Sequence, residues 1–267
     1  MNAAWFWLGW VALASSLGLC ACDSQDGGAS DGTGGAGAGA GTGGVSGSVG
    51  TVSCPDASEA IDPTALIDDM EDQNGDLAAL EDRNGTWWTG HDDTPGGTIQ
   101  PSDPVLPELI AGGRCGSRFA MHVTGQGFND WGASLGLGFR YGPQADGMWQ
   151  AEPVDAHLRT GVTFWARIGD TSTNRVRVNV GDAHSAPVAG LCELNGPPEK
   201  GCYSAFGVYL TQLGTSWRRY KIPFAGLTQP TFGLQVDAVD TERLYDLSFA
   251  FDSGAVFDLW VDDVEFY

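Results

Sequence analysis

Aromatic rings set among hydrogen-bonding side chains can hold a ligand that has both a flat apolar face and a fringe of hydroxyls. The chain offers several such groupings. Trp87 and Trp88 stand among Arg83, Asn84, His91 and Asp92. Trp131 follows Asn129 and Asp130, Trp149 lies in a Gly/Pro-rich stretch, and Tyr203 follows a Pro/Gly-rich loop bounded by cysteines. Trp87, Trp88, His91, Asp92, Trp131, Trp149 and Tyr203 are therefore the candidate ligand-binding residues, with ordinary packing the competing explanation for any one of them. Adjacent strand residues face opposite ways, so one of Trp87 and Trp88 is expected in the core and the other outside. Trp165, Trp217 and Trp260 sit within strand-like runs and read as core.

Covalent chemistry finds less support. Gly132-Ala133-Ser134-Leu135-Gly136 matches the nucleophile-elbow pattern, but that device needs a strand, a sharp turn and a helix, and a glycine-rich strand-like run follows here. A glycosidase needs two carboxylates across a cleft, and with 34 acidic residues the sequence does not single out a pair. The four histidines, His91, His122, His157 and His184, have no metal-ligand spacing. No catalytic residue is assigned. Met70 to Glu81 approaches a calcium-binding EF-hand loop, but its first position is Met70 and no helix pair flanks it. The adjacent acids Asp262 and Asp263 are more telling. They interrupt the otherwise apolar closing run FDLWVDDVEFY, where Phe257, Leu259 and Val261 share one face. Buried acids are costly unless neutralised, so a bound cation or a sheet edge in water is expected there.

The elements that would position these residues are strands. After Pro63 the chain runs in short apolar stretches broken by Gly, Pro, Asn and Asp: RFAMHV, ASLGLGFRY, TGVTFWARI, RVRVNV, then Ala205–Leu210, Trp217–Ile222, Phe232–Val236, Leu244–Phe251 and Val256–Tyr267. This pattern predicts an all-β fold, a β-sandwich or jelly roll of two antiparallel sheets. Only residues 59–66 and 75–82 carry weak helical patterns. There is no internal repeat and no alternation of strands with long helices.

Residues 3–22 are uncharged and mostly apolar and end in Leu19-Cys20-Ala21-Cys22. Such a run is long enough for a membrane span, but its end resembles a bacterial lipobox, with Leu three before the modified cysteine and a small residue just before it. Residues 1–22 are thus expected to be a lipoprotein signal peptide with Cys22 lipidated, although no Lys or Arg precedes the apolar run. Residues 23–53 are rich in Gly, Ser, Thr and Ala and read as a disordered linker with a reach of about 30 Å. Residues 54–267 form the folded domain, a length that suits one large all-β unit. In an exported chain the remaining Cys54, Cys115, Cys192 and Cys202 predict two disulfides. Cys192 and Cys202 flank the loop ELNGPPEKG and are paired, leaving Cys54 with Cys115; no C-x-x-C spacing suggests zinc. A net charge of −21 argues against nucleic acid as a partner.

From Leu66 to Tyr267 the sequence resembles the galactose-binding-like jelly-roll carbohydrate-binding modules, particularly family 11 carbohydrate-binding modules. The resemblance is carried by the opening LIDDMED, the closing FDLWVDDVEF, and NGTWWTGHDD, GFNDWGASLG, GLCELNGPPEKGCYSAFG and SWRRYKIPFAGLTQ between them. It implies non-catalytic binding of a polysaccharide, a β-glucan or a related glycan. It also implies a structural Ca²⁺ joining the first and last strands, with Asp69, Glu71, Asp262 and Asp263 as ligands. The chain as a whole is then expected to be exported and held on the bacterial cell envelope by a lipid anchor, its only membrane contact. A structural or adhesive envelope protein that binds a protein partner is the second class, and a polysaccharide hydrolase or lyase on the same scaffold is the third.

Overall fold

The computed structural model describes residues 62–145 and 148–267. The expected signal peptide, Cys22, the linker and Cys54 lie outside the described residues, as does the side chain of Trp149. Within the described residues there are fourteen strands, four 3₁₀ turns and no α-helix. The strands are β1 (Leu66–Asp68), β2 (Trp87–His91), β3 (Thr98–Gln100), β4 (Glu108–Arg114), β5 (Ser117–Gln126), β6 (Ala133–Gly138) and β7 (Tyr141–Ala145). They continue as β8 (Met148–Ala151), β9 (Gly161–Ile168), β10 (Val176–Asp182), β11 (Phe206–Leu210), β12 (Arg218–Pro223), β13 (Leu244–Phe251) and β14 (Phe257–Phe266).

Two sheets make the sandwich. A five-stranded sheet runs β11-β10-β13-β6-β2. A seven-stranded sheet runs β12-β9-β14-β5-β3, with β1 added to β14 and β4 to β5, and β7 and β8 form a separate hairpin. Every pairing between these strands is antiparallel. The period-two patterns determine which side chains meet. Val176, Val178 and Val180 of β10 and Leu247, Phe249 and Phe251 of β13 point inward and are buried, as do Val162, Phe164 and Ala166 of β9 and Leu259 and Val261 of β14. Phe164 meets Phe249 edge to face at 4.9 Å between ring centroids. Phe251 stacks on Phe257 at 4.0 Å. These contacts join the two sheets, and each adds about 0.5–1.5 kcal/mol beyond its buried area.

Several expectations are corrected. Residues 63–65 form one 3₁₀ turn and residues 75–82 turns and irregular chain, not helix. Phe232–Val236 is not a strand, because its backbone donors go elsewhere: Gly233 N–H to Pro198 O at 2.9 Å, Leu234 N–H to Gly201 O at 2.8 Å, and Val236 N–H to the Gln229 side chain at 2.8 Å. Trp165, Trp217 and Trp260 are not core residues. Trp165 and Trp260 take the outward positions of β9 and β14, Trp217 lies just before β12, and all three are half-buried. Arg167 lies over Trp260 at 4.5 Å and over Trp217 at 5.3 Å, Arg114 lies over Trp165 at 4.5 Å, and His122 stacks on Trp260 at 3.8 Å. Guanidinium groups on indole faces thus cover the outer side of the seven-stranded sheet.

The first and last described strands are neighbours. Leu66 pairs with Glu265 and Asp68 with Val264. The Trp87 indole donates to Asp68 Oδ2 at 2.7 Å, and Arg83 reaches the carbonyls of Thr64 and Leu66 at 2.8 and 2.6 Å. The interruption at Asp262-Asp263 is a β-bulge. The β14–β9 register shifts between Asp262 and Glu265, and Asp263 has φ 43°. The bulge restores Val264 to the core face after two consecutive acids.

Candidate functional site

The candidate site lies on the outer face of the five-stranded sheet. The register places Trp88, Gly136, Ser248, Asn179 and Gly207 side by side in one row across all five strands. A row on one side holds Gly90, Ser134, Ala250, Arg177 and Tyr209, and the other side holds Gly138, Asp246 and Gly181. At about 4.8 Å per strand, the row from Trp88 to Gly207 spans about 19 Å.

Glycine is frequent on this face because neighbouring side chains lie down over it. A Cβ on Gly136 would fall 2.3 Å from Cζ2, 2.6 Å from Cε2 and 2.6 Å from Cη2 of Trp88. The six-membered ring of the indole therefore occupies the space directly above Gly136. Cβ atoms on three more of these glycines would collide too: at Gly138 with Tyr141 Oη at 2.6 Å, at Gly181 with Asp246 Oδ2 at 2.2 Å, and at Gly207 with Asn179 Oδ1 at 2.5 Å. The result is a low floor paved with the faces and edges of these side chains.

Polar groups are fixed within it. Arg177 donates to Asn179 Oδ1 and to Thr228 O at 2.8 Å. Asn179 Nδ2 reaches Ser248 Oγ at 3.4 Å. Tyr209 closes the β11 side, with its hydroxyl on Asp252 at 2.9 Å and the Arg175 guanidinium 3.6 Å from its ring centroid. Asp246 is the only acid on the outward positions of the five strands. Burial, reinforced by the Asp182 carboxylate, pushes its carboxyl up to about 7. Tyr141, which covers Gly138, is raised by burial and by Asp246, and it also lines an open polar cleft with Asn84, Arg140 and Glu152. The floor thus leads from Trp88 into this cleft.

The seven expected ligand-binding residues divide. Trp88 forms the floor, as the alternation of Trp87 and Trp88 requires. Trp87 is corrected to core, at 2 % exposure. Asp92 is also corrected: it is 1 % exposed and accepts the N–H groups of Thr94, Asp130 and Gly132 at 3.0, 2.9 and 2.9 Å. Its carboxylate shapes the loop before β6, and although burial opposes it, these hydrogen bonds hold its pKa at about 2. His91 ends β2 with its ring 5.2 Å from that of Phe128. Trp131, 43 % exposed, stands two residues before β6, and Tyr203, 54 % exposed, three residues before β11. The alternation of RVRVNV and FGVYL could have marked Arg177, Asn179 and Tyr209 as outward residues. No local signal marked Asp246 or Tyr141, which depend on cross-strand register.

The expected calcium ligands are engaged otherwise. Arg114 donates to Asp262 Oδ2 at 2.8 Å and to Asp263. Ser117 Oγ bonds Asp262 at 2.8 Å and lies 3.3 Å from Glu71. Glu71 accepts the N–H groups of Arg118 and Phe119 at 2.6 and 3.0 Å, and Asp69 accepts that of Glu71 at 3.2 Å. Among the described residues no group of three or more His, Cys, Asp or Glu stands ready to hold a metal ion. The residues present do not fit a calcium shell, because a guanidinium supplies the positive charge at Asp262 and Asp263. The Cys192–Cys202 disulfide is present, and Cys115 is also disulfide-bonded.

No family model matches the chain, and no curated protein does. Among solved structures, it is similar to the family 11 carbohydrate-binding module from Clostridium thermocellum in complex with a β-1,3-1,4-mixed-linked tetrasaccharide. The identity is 16 %, with 76 % of this chain and 94 % of that one covered, at a TM-score of 0.45. It is similar to the family 30 module of a cellulosomal cellulase of Clostridium thermocellum at 10 % identity, over 68 % of this chain and 90 % of that one, TM-score 0.42. An exo-β-agarase matches at 15 % identity over 76 % of this chain and 25 % of its own, TM-score 0.42.

Proposed function

We propose that this protein binds a polysaccharide, without cleaving it, on the outer face of its five-stranded sheet. The observation that carries this reading is the Trp88 indole resting above Gly136, with the Arg177–Asn179–Ser248 hydrogen-bonded series beside it. A ring lying along a sheet can offer its second face to the apolar side of a sugar, and fixed amide, hydroxyl and guanidinium groups beside it can meet the sugar's hydroxyls. The row across the five strands is about 19 Å long, which suits a stretch of polymer better than a single sugar. The charge pattern supports a reading without cleavage: glycoside hydrolysis uses two facing carboxyls, and Asp246 is the one acid on the outward positions of the five strands. In the same reading Cys22 carries a lipid and residues 23–53 tether the domain to the cell envelope.

Affinity electrophoresis in gels containing mixed-linked β-1,3-1,4-glucan, β-1,4-galactan or agarose tests this. Retardation of the wild type by at least one polymer, lost in Trp88→Ala, is expected. Equal migration of the wild type in all gels and in a polymer-free gel contradicts it.

A further inference from the structure

The chain between β10 and β11 leaves the sheet at Asp182 and returns at Phe206, and it carries the Cys192–Cys202 bridge with a Cα–Cα distance of 5.0 Å. The bridged loop is pinned on several sides. Glu193 N–H bonds Lys200 O at 2.8 Å, and Gly233 and Leu234 donate to Pro198 and Gly201 at 2.9 and 2.8 Å. Tyr203 follows the second cysteine directly. Its neighbours are inside, Cys202 at 6 % and Ser204 at 0 % exposure, while Tyr203 is more than half exposed. Its N–H bonds Ser185 O at 2.9 Å, and Ser185 in turn bonds Asp182 through N–H and hydroxyl. Tyr203 also has φ 67°, a conformation that aromatic residues adopt rarely and that concentrates at binding sites.

The β10–β11 register ends at Val180 and Phe206, and before it the chain lies off the ladder, with Ser204 O accepting from Gln229 at 2.8 Å and Tyr203 N–H held on Ser185 O. Through Ser185, which is tied to Asp182, the backbone of Tyr203 is held at the turn that follows β10, the end of the sheet at which Asp246 lies over Gly181. Trp88 stands at the other edge of the sheet, on β2. We infer that the disulfide-closed loop is a rim of the glycan groove, that Tyr203 is an accessory stacking subsite for a sugar unit beyond the sheet, and that the Cys192–Cys202 bridge holds it in place. This inference rests on the groove reading above. It predicts that long oligosaccharides gain affinity from Tyr203 while short ones held at Trp88 do not.

The test uses the polymer that retards the wild type and oligosaccharides of increasing length cut from it, titrated by calorimetry. Tyr203→Ala should weaken the longest oligosaccharide roughly three- to tenfold and leave the shortest bound one unchanged, while Tyr203→Phe keeps wild-type affinity. Cys192→Ser/Cys202→Ser should show the same selective loss, and adding Tyr203→Ala to it should cost little more, because both changes remove one contact. Thermal melting of each variant separates this from unfolding: Tyr203→Ala should melt with the wild type. Unchanged affinity of Tyr203→Ala at every length, with Trp88→Ala still defective, overturns the inference and leaves the groove standing. A wild type that binds none of the three polymers removes both.

Discussion

The indole of Trp88 lies on the backbone of Gly136, with three of its ring carbons in the place a side chain at residue 136 would take. The two residues are also directly paired across β2 and β6. One supplies the platform and the other the space for it, so substitution at either should have the same functional result by different routes. Gly136→Val places methyl groups where the ring rests and lifts it from the sheet. The expected outcome is at least a tenfold loss of affinity for the retained polymer (~1.4 kcal/mol), read by calorimetry, with the far-ultraviolet circular dichroism of a β-protein preserved.

Arg114 is 3 % exposed, and its partners Asp262 and Asp263 sit at the bulge that holds the last strand to the first. Arg114→Met keeps the length and apolar stem of the side chain but leaves Asp262 buried beside a like charge. Breaking a buried pair from one side costs about 3–5 kcal/mol, which in a domain of this size lowers Tm by roughly 2–4 °C per kcal/mol. Calorimetric melting checks this. The same experiment measures the metal expectation: with the guanidinium in place, wild-type Tm should be equal in millimolar Ca²⁺ and in chelator.

Stability should also depend on pH in a direction uncommon for an acidic protein. Burial pushes Asp68 and Asp246 up to about 7 and Asp262 to about 6, from an ordinary 3.8. For a carboxyl raised on folding, the unfolded chain ionises first. The contribution is therefore complete below pH 3.8 and is lost as pH rises towards 7. Asp92 acts in the opposite sense: burial raises it, but its hydrogen bonds outweigh that and hold it at about 2, so its contribution is present above 3.8 and lost as pH falls towards 2. Tm should therefore peak near pH 3.8 and fall as pH rises towards 7. A flat profile from 5 to 8 contradicts the burial of these acids, and Asp246→Asn should remove part of the slope.

How much of this was legible in the sequence follows from what each feature depends on. Two-residue alternation in RVRVNV and FDLWVDD is local, so the strands, the inward valines and the two-sheet class could be read directly. The short β1 and β3 are three residues each and present too little pattern to read. Trp165, Trp217 and Trp260 were misread because apolar runs do not reveal that a guanidinium will cover the outer face. Asp92 was misread because its polar neighbours are backbone N–H groups, which every sequence has. Trp88 was legible by alternation with Trp87. Its partner Gly136 was not, because pairing β2 with β6 joins segments separated by β3, β4 and β5. The pattern break at Asp263 was visible, and its cause, a bulge answered by Arg114, lay in another strand.

The most direct measurement is quantitative binding of wild type and Trp88→Ala to mixed-linked β-1,3-1,4-glucan, β-1,4-galactan and agarose, with melting curves of both proteins. Saturable binding of the wild type to at least one polymer, reduced tenfold or more in a variant that melts as a folded domain, is the predicted result. Indistinguishable affinities of the two folded proteins, or a wild type that binds none of the polymers, would contradict it.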